Sequence, residues 1–255
     1  MGVLSTVGNR TATTARGQVT ALRERGVLEY LKTRPRAVLG SMGTTLLAVD
    51  AMRMDVDSVH QRWETRTGVY DPTFYAELGA TSGTNSIRSV LDARVDEDAE
   101  ILELGCSSGR NLAHLHEHGY ENLSGIDINQ DALDVMAEHY PDLAADATVY
   151  QDAMENVLTQ FEDGAFDVVF SVETLQHVHP DNEWVFDEIA RITDRLLITK
   201  ENEPDGDQLL RMRNVDGFPL YFRQWKPIFT DRGFVHVTST TDNVDILRVF
   251  QRGDT

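Results

Sequence analysis

The sequence predicts an α/β protein: a doubly wound, mostly parallel sheet of seven strands that ends in an antiparallel hairpin. Three observations carry this. From residue 99 onward, apolar runs of strand length alternate with stretches of helical periodicity, the order expected when crossover helices cover a parallel sheet. The run Ile101-Leu102-Glu103-Leu104 breaks at Gly105, and helical spacing resumes through Leu112 and Leu115, as in a buried strand turning sharply into a helix. The last two strand-like runs are separated only by Thr240-Thr241-Asp242-Asn243, whereas a parallel crossover needs about a dozen residues or more.

In chain order, residues 1–17 are small and polar and read as disordered. Residues 19–31 suit a helix that Arg34-Pro35-Arg36 ends, and 37–49 are largely apolar, with Leu39, Met42, Leu46, Leu47 and Val49. That run is shorter than a membrane span and reads as a buried or interfacial helix. The first 55 residues hold eight cations and four acids, net +4, against −23 for the remainder. A basic, partly apolar leader on an acidic body suits peripheral contact with an anionic membrane, or packing on its own domain. Gly2 and Thr6 also fit the short M-G-x-x-x-T acylation pattern. Residues 56–78 read as helical, with Asp71-Pro72 as a helix start and Trp63, Tyr70, Phe74 and Tyr75 clustered nearby. The division is therefore a 1–55 extension and a 56–255 domain, the latter helical over 56–98 and α/β over 99–255. Strands are expected to end at Leu104, then over 123–126, around 148–150, over 166–171, 196–199, 234–239 and 244–250.

Composition limits the partners. A net charge of −19 argues against nucleic acid, whose phosphates need a basic face. Three lysines (Lys32, Lys200, Lys226) stand against twenty arginines, an acid-rich, lysine-poor balance like that of proteins from salt-loving microbes. At molar salt the Debye length falls to about 3 Å, which would screen the self-repulsion. A single cysteine, Cys106, excludes an internal disulfide and fits the cytoplasm; in the turn it reads as a small filler more than a reactive thiol.

The turn at 105–109 is where chemistry is expected. Helix N-terminal amides with flanking glycines let a ligand approach the backbone. The spacing is Gly105-x-x-x-Gly109, not the G-x-G-x-x-G of dinucleotide enzymes. With Glu103 before it, the stretch resembles the first motif of class I S-adenosylmethionine-dependent methyltransferases, acid-x-Gly-x-Gly-x-Gly, with Ser107 in place of the middle glycine. The resemblance implies a Rossmann-like methyltransferase fold and S-adenosyl-L-methionine as cofactor, held by Glu103, Gly105, Ser107 and Gly109. It also implies that the helices before the first strand form a lid. Asp127 lies twenty-two residues beyond Gly105 at a strand end, placed to bond ribose hydroxyls. Asp152 and Ala153 match the family's adenine contacts. Ser171 is assigned to the cofactor side of the stretch Ser171 to His177, which leaves the fourth strand at the sheet's carboxyl edge. His177 is the candidate proton acceptor, sharing a face with Glu173 if a helix begins there; holding the loop is its structural alternative. Within 201–232, read as a long connection, Arg211, Arg213, Arg223 and Tyr221 are the candidate acceptor-binding residues, since arginine forks suit carboxylate or phosphate. The alternative there is surface charge balancing.

Other patterns compete. His114-x-His116-x-His118 invites a metal, but only His114 and His118 share a helix face and no third ligand is evident, so no metal is expected; His177-x-His179 is treated alike. Gly105-Cys106-Ser107-Ser108-Gly109 also spells the G-x-S-x-G elbow of serine hydrolases. Against it, that elbow follows several strands, residues 18–94 read mainly helical, and His236 lies within a strand. A non-catalytic cofactor-binding subunit is a third reading. The favoured expectation is methyl transfer to an oxygen of a small anionic acceptor, such as a sugar acid of a surface glycan, free or lipid-linked.

Overall fold

A computed structural model describes residues 54–206, 208–242 and 244–253. Gly2 and Thr6, the helix expected over 19–31, the apolar run at 37–49 and the membrane contact lie outside the described residues. Among the described residues no helix is long and apolar enough to cross a membrane.

The core is a seven-stranded sheet in the order β3-β2-β1-β4-β5-β9-β8. Its parallel strands are β1 (Ile101–Leu104), β2 (Leu123–Asp127), β3 (Thr148–Gln151), β4 (Phe166–Val172) and β5 (Thr193–Asn202). β8 (Phe234–Asp242) and β9 (Asp245–Arg252) pair antiparallel to each other, and β9 runs antiparallel to β5. The short link between them thus forms a hairpin, as its length requires.

Alternate strand residues face opposite layers, because successive side chains leave a strand on opposite sides. Ile101, Val168, Phe170, Leu196 and Ile198 pack on one face with Leu112 and Leu115, Ile87 and Leu91, and Met136. These come from α4 (Arg110–His116), α3 (Ser82–Asp92) and α5 (Gln130–His139). Leu102, Leu104, Ile126, Val169 and Leu197 pack on the other with Val185, Phe186 and Ile189, Trp225 and Phe229. There the covering helices are α8 (Val185–Ile192) and α9 (Trp225–Thr230); α6 (Pro141–Asp146) and α7 (Met154–Val157) flank β3. Both sheet faces are covered, so β1 is buried at every position, as a central parallel strand is. Each fully buried leucine or isoleucine here contributes roughly 1.5–3 kcal/mol of transfer free energy.

Two departures from the sequence reading matter for the site. The helical stretch expected over 56–78 is interrupted. α1 (Val56–Glu64) and α2 (Pro72–Leu78) are separated by a 3₁₀ turn, Gly68–Tyr70, in which Gly68 takes a left-handed φ of 72°. The Asp71 cap with Pro72 in the first turn is present, the Asp71 carboxylate accepting from the Thr73 amide. Second, residues 201–232 are not a plain connection. They fold into a two-stranded antiparallel hairpin, β6 (Leu210–Val215) and β7 (Phe218–Arg223), followed by α9. Its two-residue link is Asp216-Gly217 with φ of 51° and 92°, the mirror-image turn for which Asp-Gly is the preferred pair. β7 is buried throughout and the hairpin tip reaches Arg62 of α1.

Candidate functional site

The strand order reverses between β1 and β4, and crevices of open α/β sheets form at that switch point, beyond the carboxyl ends of the strands. The turn leaving β1 opens there. Gly105, Ser107 and Gly109 all adopt left-handed φ, at 68°, 52° and 75°. Gly105 is obligatory, since a Cβ would fall inside the Thr174 side chain. For Ser107 the same conformation carries a cost of about 1–3 kcal/mol that its surroundings must offset. Its amide donates to Asp127 Oδ2 at 2.8 Å, and its hydroxyl accepts from Arg66 Nη2 at 2.9 Å. Serine in place of the family's middle glycine therefore supplies an oxygen that the chain uses. Cys106 is buried, and burial drives its thiol well above the usual range, so it is an inert filler.

Two buried acids face this turn. Asp127, at the tip of β2, accepts from the amides of Ser107 and Asn129 and from Arg66 Nη1 at 3.0 Å. Glu103 accepts from Asn111 Nδ2 at 2.6 Å through Oε1, while its buried Oε2 has no partner. Burial pushes the Glu103 carboxyl up to about 8. Asp152, exposed after β3, accepts from the Ala153 amide and from Asn156, both on Oδ1. Ser171 is fully buried, and its hydroxyl turns inward to Glu201 Oε1 at 3.0 Å. The same Glu201 carboxylate collects the amides of Thr174, Leu175 and Gln176. Ser171 is thus part of the scaffold that shapes the turn after β4.

That turn holds Glu173 and His177. Leu175–His177 is one 3₁₀ turn, so the α-helical face that the two were expected to share does not form. Glu173 has a left-handed φ of 54°, held by its amide donating to the Lys200 carbonyl at 2.8 Å. Its carboxylate receives no hydrogen bond; the nearest cation, Lys200 Nζ, is 4.0 Å away and bonded to Asp245 at 2.8 Å. Burial, then the Asp245 charge, pushes the Glu173 carboxyl up to about 8. The His177 ring lies 4.0 Å from that of Trp63, and its Nδ1 is buried without a partner. Burial, then the Arg66 cation, pushes its pKa down to about 3, so the imidazole is neutral at ordinary pH.

The segment from α1 to α2 covers the strand tips. Trp63 packs on Tyr70 and Phe218, Asn129 donates to the carbonyls of Trp63 and Glu64 at the end of α1, and His60 meets Glu155 at 3.1 Å. Arg66 enters from this lid and was missed from the sequence; a cation just before the helix-breaking Thr67-Gly68 was the signal available. Glu173 charge raises the hydroxyl pKa of both Tyr70 and Tyr75, after burial, and Arg110 lies 5.8 Å from the Tyr75 ring with Nη1 buried and unpartnered.

The four expected acceptor residues separate. Arg223 is 2% exposed and fully engaged, by Glu183 at 3.0 Å and the carbonyls of Tyr221 and Val178. Tyr221 is buried beneath it with an unpartnered hydroxyl. Arg211 pairs with exposed Asp205 over the Phe222 ring. Arg213 is exposed on β6, near enough to Tyr70 for its charge to act on that hydroxyl. Ser107 does not complete a hydrolase triad: its hydroxyl bonds Arg66, and among the described residues no histidine bonds it.

The profile of the family described as Methyltransferase domain matches residues 101–195. Phosphoethanolamine N-methyltransferase 2 of Caenorhabditis elegans is 26% identical over 144 residues, 54% of this chain and 32% of that protein. An O-methyltransferase of Pyrenophora dematioidea is 24% identical over 176 residues, 64% of each. The chain thus spans about a third of the C. elegans relative's length. The solved magnesium protoporphyrin IX methyltransferase of Synechocystis PCC 6803, with bound SAM, superposes with a TM-score of 0.54 at 16% identity, over 86% of this chain and all of that one, which shows a shared fold. Residues 101–195 thus resemble a methyltransferase domain, and the sheet has the Rossmann-like fold of that solved enzyme.

Proposed function

We propose that the whole protein is an S-adenosylmethionine-dependent methyltransferase acting on a small molecule. The observation carrying this reading is the pair of buried acids, Glu103 and Asp127, facing a turn opened by three left-handed residues. The cofactor fits what the chain leaves unsatisfied: Glu103 Oε2 is a free acceptor for an ammonium, and the turn gives close backbone approach. Asp127 would receive the ribose hydroxyls in exchange for Arg66, and Asp152 with Ala153 would border the adenine. When bound, S-adenosylmethionine supplies a methyl group already activated by its sulfonium.

The chain's own task is then alignment and exclusion of water, an effect of proximity. The lid aromatics Trp63 and Tyr70 suit it. For the proton of a hydroxyl acceptor, the two candidates differ. A base works best with a pKa near the working pH. His177, near 3, is too weak, whereas Glu173, near 8 and without a hydrogen bond, is matched to the task. His177 then serves by packing on Trp63. We keep an oxygen of a small anionic acceptor as the target, a sugar acid of a surface glycan being the model, with Arg213 beside Tyr70 as its counter-charge. The acidic, lysine-poor composition supports a salt-rich cytoplasm as the setting, and the basic first 55 residues support a site near the membrane's inner face. One observation favours an amine acceptor instead: a Glu173 carboxylate without a hydrogen bond, whose charge reaches Tyr70 and Tyr75, also suits an ammonium, and the C. elegans relative is named an N-methyltransferase.

Calorimetry with S-adenosylhomocysteine in low and molar salt tests the cofactor reading. Binding that Asp127→Ala weakens without unfolding the protein is the expected result; no heat of binding in either salt would overturn it. Labelled cofactor with uronic acids and with phosphorylated amino alcohols then separates the two acceptors.

A further inference from the structure

The helix α4 starts at the cofactor turn and runs back along the sheet. It ends beside Glu97, which precedes β1 and lies 3.4 Å from the Cβ position of Gly119. Its last residues therefore sit at the amino edge of the strands, opposite the crevice. His114, Glu117 and His118 come together there, with their ligand atoms all within 4.8 Å of one another. From the sequence only the two histidines counted. Glu117 is the third group: it caps α4, and the turn that follows brings His118 back beside His114.

His114 is 8% exposed, and its Nε2 is buried with no hydrogen-bond partner. An orphaned buried ring nitrogen is costly unless something reaches it. His118 stands 4.3 Å away, ring to ring. Its Nδ1 lies 2.7 Å from the His114 carbonyl; in the neutral ring that nitrogen donates, so the lone pair is left on the outward Nε2. This is the arrangement that metal-bound histidines use, the second nitrogen anchored to a backbone carbonyl. His116 is turned away and bonds Asp146 at 2.9 Å. The nearby cation Arg88 is occupied by Asp92 at 2.6 Å.

We propose that His114, Glu117 and His118 form a site for one divalent transition-metal ion, Zn²⁺ by donor chemistry, separate from the methyl-transfer crevice. Two imidazoles and a carboxylate suit zinc, cobalt, nickel or copper over calcium or magnesium. Zinc bonds of about 2.0–2.1 Å need the donor atoms drawn closer than they stand, which rotation of the exposed Glu117 and His118 side chains allows. Water would complete the tetrahedron, as in other three-ligand sites.

The test uses the untagged full-length protein, titrated with ZnCl₂ by calorimetry and with Co²⁺ by visible absorption. One ion per chain is expected, with a tetrahedral cobalt spectrum. His118→Ala should weaken binding by about tenfold or more, as should Glu117→Gln, while His116→Ala leaves it unchanged. Binding of S-adenosylhomocysteine should be the same in His118→Ala as in the wild type. No uptake of either metal, or wild-type affinity retained in either His118→Ala or Glu117→Gln, would overturn the assignment. Both of these residues are exposed, so the variants are expected to fold.

Discussion

The two halves of the crevice are built differently. On the cofactor side, the turn after β1 and the tip of β2 use residues close in sequence: Glu103, Gly105, Ser107 and Gly109 lie within seven positions. Their role depends on backbone shape, on amides that must be satisfied and on acids at strand ends. On the side proposed for the acceptor, the α1–α2 segment, the turn after β4 and the β6–β7 hairpin converge from three distant segments. Side chains there are either consumed in holding those segments together or left free, and only the free ones can do chemistry. An arginine-rich stretch therefore says little until its partners are known, whereas a strand–glycine–helix turn says a great deal.

Variants can break or sharpen this contrast, beginning with the largest expected effect. Glu173→Gln should lower kcat by roughly 10²–10⁴-fold while leaving S-adenosylhomocysteine affinity intact, if it takes the acceptor's proton; a change confined to KM would make it a binding group instead. Gly105→Val forces a left-handed β-branched residue against Thr174 and should cost about 2–4 kcal/mol in denaturant unfolding, with loss of cofactor binding. Arg223→Ala should cost about 2–3 kcal/mol, because buried carbonyls lose their donors, with little change in acceptor KM. A stable Arg223→Ala protein with a raised KM would restore the arginine to the acceptor.

A smaller effect follows from the buried acids. Glu103 and Glu173, near 8, and Glu201, near 7, all sit above their unfolded values of 4.5. Their contribution to stability is full below about pH 4.5 and is lost as pH rises through 7–8. Glu103→Gln should flatten the decline in Tm between pH 6 and 8; an unchanged slope would mean its carboxyl titrates normally. Arg211→Ala, removing a pair with an exposed partner, should stay within about 0.5 kcal/mol.

Much of the fold was legible. The alternation from residue 99, the break at Gly105 and the four-residue link at 240–243 predicted the sheet, and the strands lie where the apolar runs do. The β6–β7 hairpin was passed over although Asp216-Gly217 marked it, because it is a small two-stranded sheet inside what reads as a connection. The break before α2 was marked by Asp71-Pro72, but the 3₁₀ turn at Gly68–Tyr70 was not read. Glu103 and Asp127 were singled out from position alone, and the structure buries both against the turn. Glu173 was noted only as a neighbour of His177, Arg66 had no mark but the Thr67-Gly68 that follows it, and nothing local distinguishes Glu201 in a chain so rich in charge.

By itself the sequence determined the sheet's order of construction, the antiparallel close and the amide-lined turn, because strand burial, link length and glycine stereochemistry act between neighbours along the chain. Tertiary structure alone decided which polar groups are spent and which are free. Ser171 is bound by a residue 30 positions away, Arg223 by one 40 away and Asp127 by one 61 away. Glu103 Oε2 meets no such partner, and the Glu173 carboxylate has only Lys200 Nζ, 4.0 Å away and bonded to Asp245. A buried polar atom is defined by what reaches it, and that depends on which distant segments pack together.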